Sequence, residues 1–214
     1  MNMTSTERPN ARLRKEPVDR IPNMTLVMQY AADLIGASLA SYYQDYHVLC
    51  EANFKSGEAF RLDLVYEISD PYREAADFGA QITFPEDNLP VCSEPLIKDP
   101  SDLKTLPTPD PLAPGSRMRD RVDAVRLFHE QVGGQIPVQG WVEGALAEAA
   151  DLRGVTPIMY DLYDRAEWLD DLLEHIVEVE IAFAQAQIEA GATIIGLGDA
   201  IASQVGPGFY RRFA

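Results

Sequence analysis

Ala190-Gly191-Ala192-Thr193-Ile194-Ile195-Gly196-Leu197-Gly198-Asp199-Ala200 packs a helix end, a β-branched run and an acidic loop into eleven residues. Gly191 suits the left-handed residue that closes a helix, Thr193-Ile194-Ile195 reads as a buried strand, and Asp199 falls just past its carboxyl end. In parallel α/β proteins that end is where ligands bind. Upstream, residues 166–190 carry Leu169, Leu172, Leu173, Ile176 and Val179 at helical spacing, a face that packs on a sheet. Ile136 to Trp141 reads as another strand with Glu143 just beyond it. Before it lies an amphipathic helix, 118–132, closed by Gly133-Gly134; after it come a short helix over 145–152, ended by Gly154, and a further turn over 156–163.

The amino-terminal half is read by the same rules. Residues 1–20, with Arg12, Arg14, Lys15, Arg20 and little periodicity, are expected to be a flexible lead-in to a domain spanning 21–214. A first strand is placed at Met24 to Met28, helices at 36–59 and 62–78, and a strand at Ala80 to Phe84, stopped by Pro85 and followed by Glu86-Asp87-Asn88. Seven prolines between residues 89 and 116 make that stretch a surface excursion.

Four strands separated by helical crossovers predict a parallel sheet. No G-x-G-x-x-G follows the first strand, which disfavours the open doubly wound alternative and favours a (β/α)8 TIM barrel. About four βα units are visible where a closed barrel has eight, so the chain reads as its amino-terminal portion. Such a portion leaves a strand edge unpaired, and a homo-oligomer or completion by a longer polypeptide is expected.

Charge narrows the partners. Eighteen Lys and Arg against 34 Asp and Glu give a net charge of −16, which repels phosphate backbones and anionic lipid, so neither nucleic acid nor a membrane surface is expected. Cys50 and Cys92 are too few for a disulfide framework, and the polar amino terminus lacks an apolar export segment. A cytoplasmic location is expected. His47 and Cys50 stand one helical turn apart, but two ligands do not make a zinc site, and no metal residues are assigned.

If the strands share a sheet, the acids at their carboxyl ends converge on one rim. On that ground Glu143, Asp199 and Asp87 are the candidate catalytic residues, with Glu86, Asn88, Gln139, Trp141 and Ser203 as candidate binding residues. The competing role for Asp199 and Ser203 is capping of a helix.

The segment Ile136-Pro137-Val138-Gln139-Gly140-Trp141-Val142-Glu143-Gly144-Ala145-Leu146-Ala147-Glu148-Ala149-Ala150-Asp151-Leu152-Arg153-Gly154 resembles the strand and glycine-bounded helix of the uroporphyrinogen decarboxylase superfamily. The closing Gly198-Asp199-Ala200, Ser203 and Pro207-x-x-Tyr210 look like its next strand and loop, and Leu106-Pro107-x-Pro109-Asp110-Pro111 with Gly115-Ser116-Arg117-Met118 is similar to a linker of its methyltransferase branch. The decarboxylases carry an arginine-bearing first-strand motif where this chain has Met28-Gln29-Tyr30-Ala31-Ala32. Their F-S-D loop appears here as Phe84-Pro85-Glu86-Asp87, and the tyrosine of their glycine-bounded helix falls near Asp151, a further binding candidate. So acidic a chain fits an octa-anionic tetrapyrrole poorly.

The resemblance therefore implies the other branch: corrinoid-dependent methyl transfer between a methylated substrate or thiol and a cobalamin, free or on a corrinoid protein. Zinc, where the branch uses it, would be held by residues outside this chain, because the family's His-x-Cys pair and distant Cys have no counterpart here. A tetrapyrrole decarboxylase and a non-enzymatic pairing module stand as alternatives.

Overall fold

Side-chain alternation along Val138-Gln139-Gly140-Trp141-Val142-Glu143 builds the central strand, since successive residues of a strand point to opposite faces. The structure is a computed structural model and describes residues 2–214. In chain order the elements are α1 (Glu7–Leu13), α2 (Tyr30–Ile35), α3 (Leu39–Gln44), α4 (Tyr46–Phe60), β1 (Val65–Tyr66), α5 (Arg73–Phe78), β2 (Ile82–Thr83), β3 (Val91–Cys92), α6 (Arg117–Val132), β4 (Val138–Glu143), α7 (Ala145–Arg153), α8 (Val155–Asp164), α9 (Ala166–Ala190), β5 (Ile194–Gly198) and α10 (Pro207–Phe213). Short 3-10 turns cover Pro100–Thr105 and Ala202–Gln204.

The main sheet has the order β1-β4-β5, parallel throughout, with Tyr66 opposite Gln139, Trp141 opposite Gly196 and Glu143 opposite Gly198. This is a portion of a (β/α)8 barrel. Val65, Val138 and Val142 join one large core with the helices, while Leu64, Tyr66 and Ile68 form a second cluster with Trp141 and Ile194 on the opposite, inner face. On the helix side α9 buries Leu169, Leu172, Ile176 and Phe183 completely. Gln187, on the same stripe, accepts the Trp141 N–H at 2.9 Å and donates to the Trp141 carbonyl at 2.9 Å, docking α9 on β4. That approach needs Gly140: a Cβ there would lie 2.3 Å from the Gln187 amide oxygen.

Three expectations for the amino-terminal half are corrected. Residues 24–28 form no strand; Met24, Leu26 and Met28 instead cover the inner cluster, and the Val27 and Met28 N–H groups donate to the Tyr66 hydroxyl at 2.7 and 2.9 Å. The first strand is β1, inside the stretch read as helix 62–78: Leu64, Tyr66 and Ile68 alternate with Val65, a period of two, and Pro71 delays the helix to Arg73. The expected strand at 80–84 is β2, which pairs antiparallel with β3 in a separate hairpin. The sheet thus holds three parallel strands, not four.

Smaller differences have local causes. The 36–59 helix is two, α3 and α4, divided at Asp45, whose extended backbone lets its carboxylate cap the His47 N–H. The 1–20 segment, expected to be flexible, contains α1, and its Arg8 is buried against Asp63 and Asp19. No helix among the described residues is long and apolar enough to cross a membrane.

Candidate functional site

Glu143 ends β4, and the turn after β1 brings a guanidinium to it. Asp70 starts that turn by accepting from the Ser69 hydroxyl at 2.6 Å and the Tyr72 N–H at 3.1 Å, and α5 then opens at Arg73. Arg73 is fully buried. Its Nη2 donates to Glu143 Oε1 at 3.0 Å and its Nε to Glu74 Oε2 at 3.2 Å, while the Glu143 N–H donates to Glu74 Oε1 at 3.3 Å. The result is a closed ring of Arg73, Glu74 and both ends of Glu143. Burial pushes the Glu143 carboxyl up to about 7 against the pull of Arg73.

Asp151 stands on α7 near this ring, and burial together with the charges of Glu143 and Glu74 pushes it up to about 8. Beneath it, Glu148 of α7 and Glu180 of α9 are buried with no hydrogen-bond partner for either carboxyl. Burial and their carboxylate neighbours raise both, Glu180 to about 10, so that Glu180 carries its proton at neutral pH. On the far side of β1, Glu67 is likewise buried and unpartnered, raised by burial to about 7 with Arg73 and Arg121 opposing.

Asp199 plays a different part. Its carboxylate accepts the Leu146 N–H at 3.1 Å and the Ala202 N–H at 2.9 Å, capping α7 and the turn after β5. Gly144 is required beside it, because a Cβ there would meet the Asp199 Cβ at 2.4 Å. Ser203 donates to the Ala200 carbonyl at 2.7 Å and lines, with Asp199, Leu197, Val177 and Tyr210, an open groove of about 1010 Å³.

Gln139 and Trp141 share the inner face with Glu143 by register. The indole lies over β5, where Cβ atoms on Gly196 and Gly198 would meet it at 2.3 and 2.6 Å. Its Nε1 is buried, makes no well-aligned hydrogen bond, and lies beside the Glu143 carboxyl, whose ionised form it favours.

Glu86, Asp87 and Asn88 are not on this rim by way of the parallel sheet. They form the exposed tip of the β2–β3 hairpin, so their expected convergence with Glu143 is corrected. His47 is exposed beside Asp45, whereas Cys50 is buried against the Ala124 carbonyl at 3.7 Å, so the two do not face one ion. Among the described residues no group of three or more His, Cys, Asp or Glu side chains has metal-holding geometry.

The sequence reading missed Arg73, Glu74, Glu148 and Glu180. The helical assignment of 62–78 hid the first two. For Glu180 a signal was present: with Ile176, Phe183 and Gln187 it keeps the spacing of the buried stripe of α9, an acid where the pattern calls for an apolar residue.

A parallel half barrel with a carboxylate-rich mouth at its strands' carboxyl ends defines the class. The uroporphyrinogen decarboxylase (URO-D) family profile matches residues 4–214, and the chain belongs to that family. It is 26% identical over 227 residues to a uroporphyrinogen decarboxylase of Alkalilimnicola ehrlichii, covering 100% of this chain and 61% of that protein. It is 27% identical over 215 residues to a methylcobamide:CoM methyltransferase of Methanosarcina barkeri, covering 95% of this chain and 61% of the relative. The solved structure of a methyltransferase from Methanosarcina mazei superposes with a TM-score of 0.86 at 24% identity, over 99% of this chain and 64% of that one. The chain thus spans about three fifths of the length of these curated relatives.

Proposed function

We propose that this chain is the amino-terminal part of a corrinoid-dependent methyltransferase, moving a methyl group between a methylated substrate or thiol and a cobalamin. One observation carries the choice over tetrapyrrole decarboxylation. At the position of the decarboxylases' arginine-bearing motif, Met28 packs into an apolar cover over Tyr66 and Ile68. The nearby arginines are engaged as well, Arg73 with Glu74 and Glu143, and Arg117 with Asp70 at 2.6 Å. The position that would face an octa-anionic substrate with arginines is thus apolar in this chain.

A corrinoid fits the inner face. Gln139 and the Trp141 N–H are the polar groups this face would offer to the amides at a corrinoid's periphery, and the glycines of β5 seat the Trp141 indole itself. Trp141 and Gln139 would hold a corrinoid, which would supply a cobalt centre able to accept or donate methyl. Zinc does not fit this chain's own residues, and no step here passes through it. Glu143 and Asp151 are the proton-handling groups, and Asp199 holds α7 in place beneath them.

The test is to add methylcobalamin and a thiol to the protein carrying its remaining βα units and follow the absorbance spectrum. Demethylation is the expected result. An unchanged spectrum with every thiol and methyl donor, together with decarboxylation of uroporphyrinogen, would overturn the proposal in favour of a decarboxylase.

A further inference from the structure

Glu143 differs from the other carboxyls around Arg73 in how its two oxygens are disposed. Oε1 is taken by Arg73 at 3.0 Å, whereas Oε2 accepts no well-aligned hydrogen bond, the Trp141 indole N–H being the further donor beside the carboxyl, and the side chain keeps 12% of its surface open. Glu74 and Glu148, by contrast, are wholly buried. The ring also fixes the backbone of Glu143, because Glu74 holds its N–H. Long side chains at a strand end are mobile unless such partners lock them, and a locked carboxyl with one free oxygen is what a proton donor needs.

We infer that Arg73 is a positioning residue: with Glu74 it clamps Glu143 so that one oxygen faces the mouth and exchanges a proton with the reacting group of the substrate. This rests on the methyltransferase reading and narrows its substrate to a methylated oxygen or nitrogen compound. When the methyl–heteroatom bond breaks, its electron pair stays on the oxygen or nitrogen, which takes the Glu143 proton. The methyl group would pass to an acceptor that brings its own electron pair, a reduced corrinoid on that reading. Glu143 is left as a carboxylate, and Arg73 at 3.0 Å balances the new charge.

The groups facing Glu143 are Arg73 and Glu74 from α5, Glu148 and Asp151 from α7, Glu180 from α9, and Asp199 after β5. Arg73 and the Trp141 indole N–H favour its ionisation, and the acids oppose it.

The Glu143 carboxyl carbon can be titrated by NMR in the 214-residue chain labelled with 13C-glutamate, its signal assigned with Glu143→Gln. The midpoint is expected to rise by about one pH unit in Arg73→Lys, which loses the two-partner fork, and by more in Arg73→Gln; it should fall by a similar amount in Glu74→Gln. Should Arg73→Gln fail to fold, the other two variants still decide. Midpoints within about 0.3 unit of the parent in both would overturn the clamp, whatever the protein catalyses. In the protein with its remaining βα units, the alkaline limb of demethylation of a methyl aryl ether or a methylamine should move with the NMR midpoint. A limb that stays put while the midpoint moves removes the proton-donor role. Shifted midpoints without any methyl transfer leave the clamp standing and sink the methyltransferase reading.

Discussion

Asp199 shows how a rim acid can be structural. It satisfies two amide groups that would otherwise be orphaned at helix starts, the N–H groups of Leu146 and Ala202. Asp199→Ala is expected to cost about 1–2 kcal/mol, read as a lowered urea midpoint at unchanged slope, and Asp199→Asn to recover most of it, since Asn is as good a cap. Gly144→Ala is predicted to cost more than Asp199→Ala, because the added methyl displaces the capping carboxylate itself. Arg73 is the opposite case. It is buried among Glu67, Glu74 and Glu143, and its loss leaves those charges uncompensated, so Arg73→Ala should destabilise by about 3–5 kcal/mol in thermal unfolding.

Between α7 and α9 the protein buries the carboxyls of Glu148 and Glu180, and burial favours the neutral form of each. Their folded values lie above the ordinary carboxyl range, so the folded chain holds more protons than the unfolded one over that interval. The sign follows: the stability these groups contribute is complete below the unfolded value and is lost as pH rises, for Glu180 over the window from 4.5 to about 10. Each group that has shed its proton in the unfolded state but not the folded one costs about 1.4 kcal/mol per pH unit. Glu180→Gln, which keeps shape and removes the charge, is therefore expected to flatten the fall of Tm between about pH 6 and 9 and to raise Tm most at the alkaline end. A parallel pair of Tm curves for parent and variant would show that Glu180 is not the group responsible. The same helices explain what the sequence made legible. α6, α9, β4 and β5 were read closely because their periods are unbroken and glycines with positive φ, Gly133 and Gly191, close the helices. β1 is two residues long and sits between a helix and a proline, so its alternation was too brief to outweigh the helical neighbours. At the site, the end of β4 pointed to Glu143 and the family resemblance to Asp151, whereas the Arg73–Glu74 ring depends on a turn whose path only the fold specifies.

The sheet has two edges, and they are treated differently. Beside β1 the chain lays down residues 23–28, with the Asp63 N–H donating to the Asn23 carbonyl at 2.7 Å and Arg8 and Arg20 gathered on the Asp63 carboxylate. β5 pairs only with β4, and its Leu197 is 65% exposed. On α9, Val177, Ile181 and Ile188 follow one another at helical spacing and are exposed too. An unpaired strand edge beside an apolar stripe is the feature through which chains associate. Sedimentation of the 214-residue chain is expected to show concentration-dependent self-association, and Ile181→Lys with Leu197→Lys to reduce it without lowering Tm by more than about 0.5 kcal/mol equivalent, since both sites are on the surface. Ile181 and Leu197 are exposed whereas Glu148 and Glu180 are buried, so the double variant should leave the Glu143 titration where it was. If association persisted with both lysines in place, the β1 edge or the exposed β2–β3 hairpin, where Leu89 and Val91 are open to solvent, would have to supply the contact.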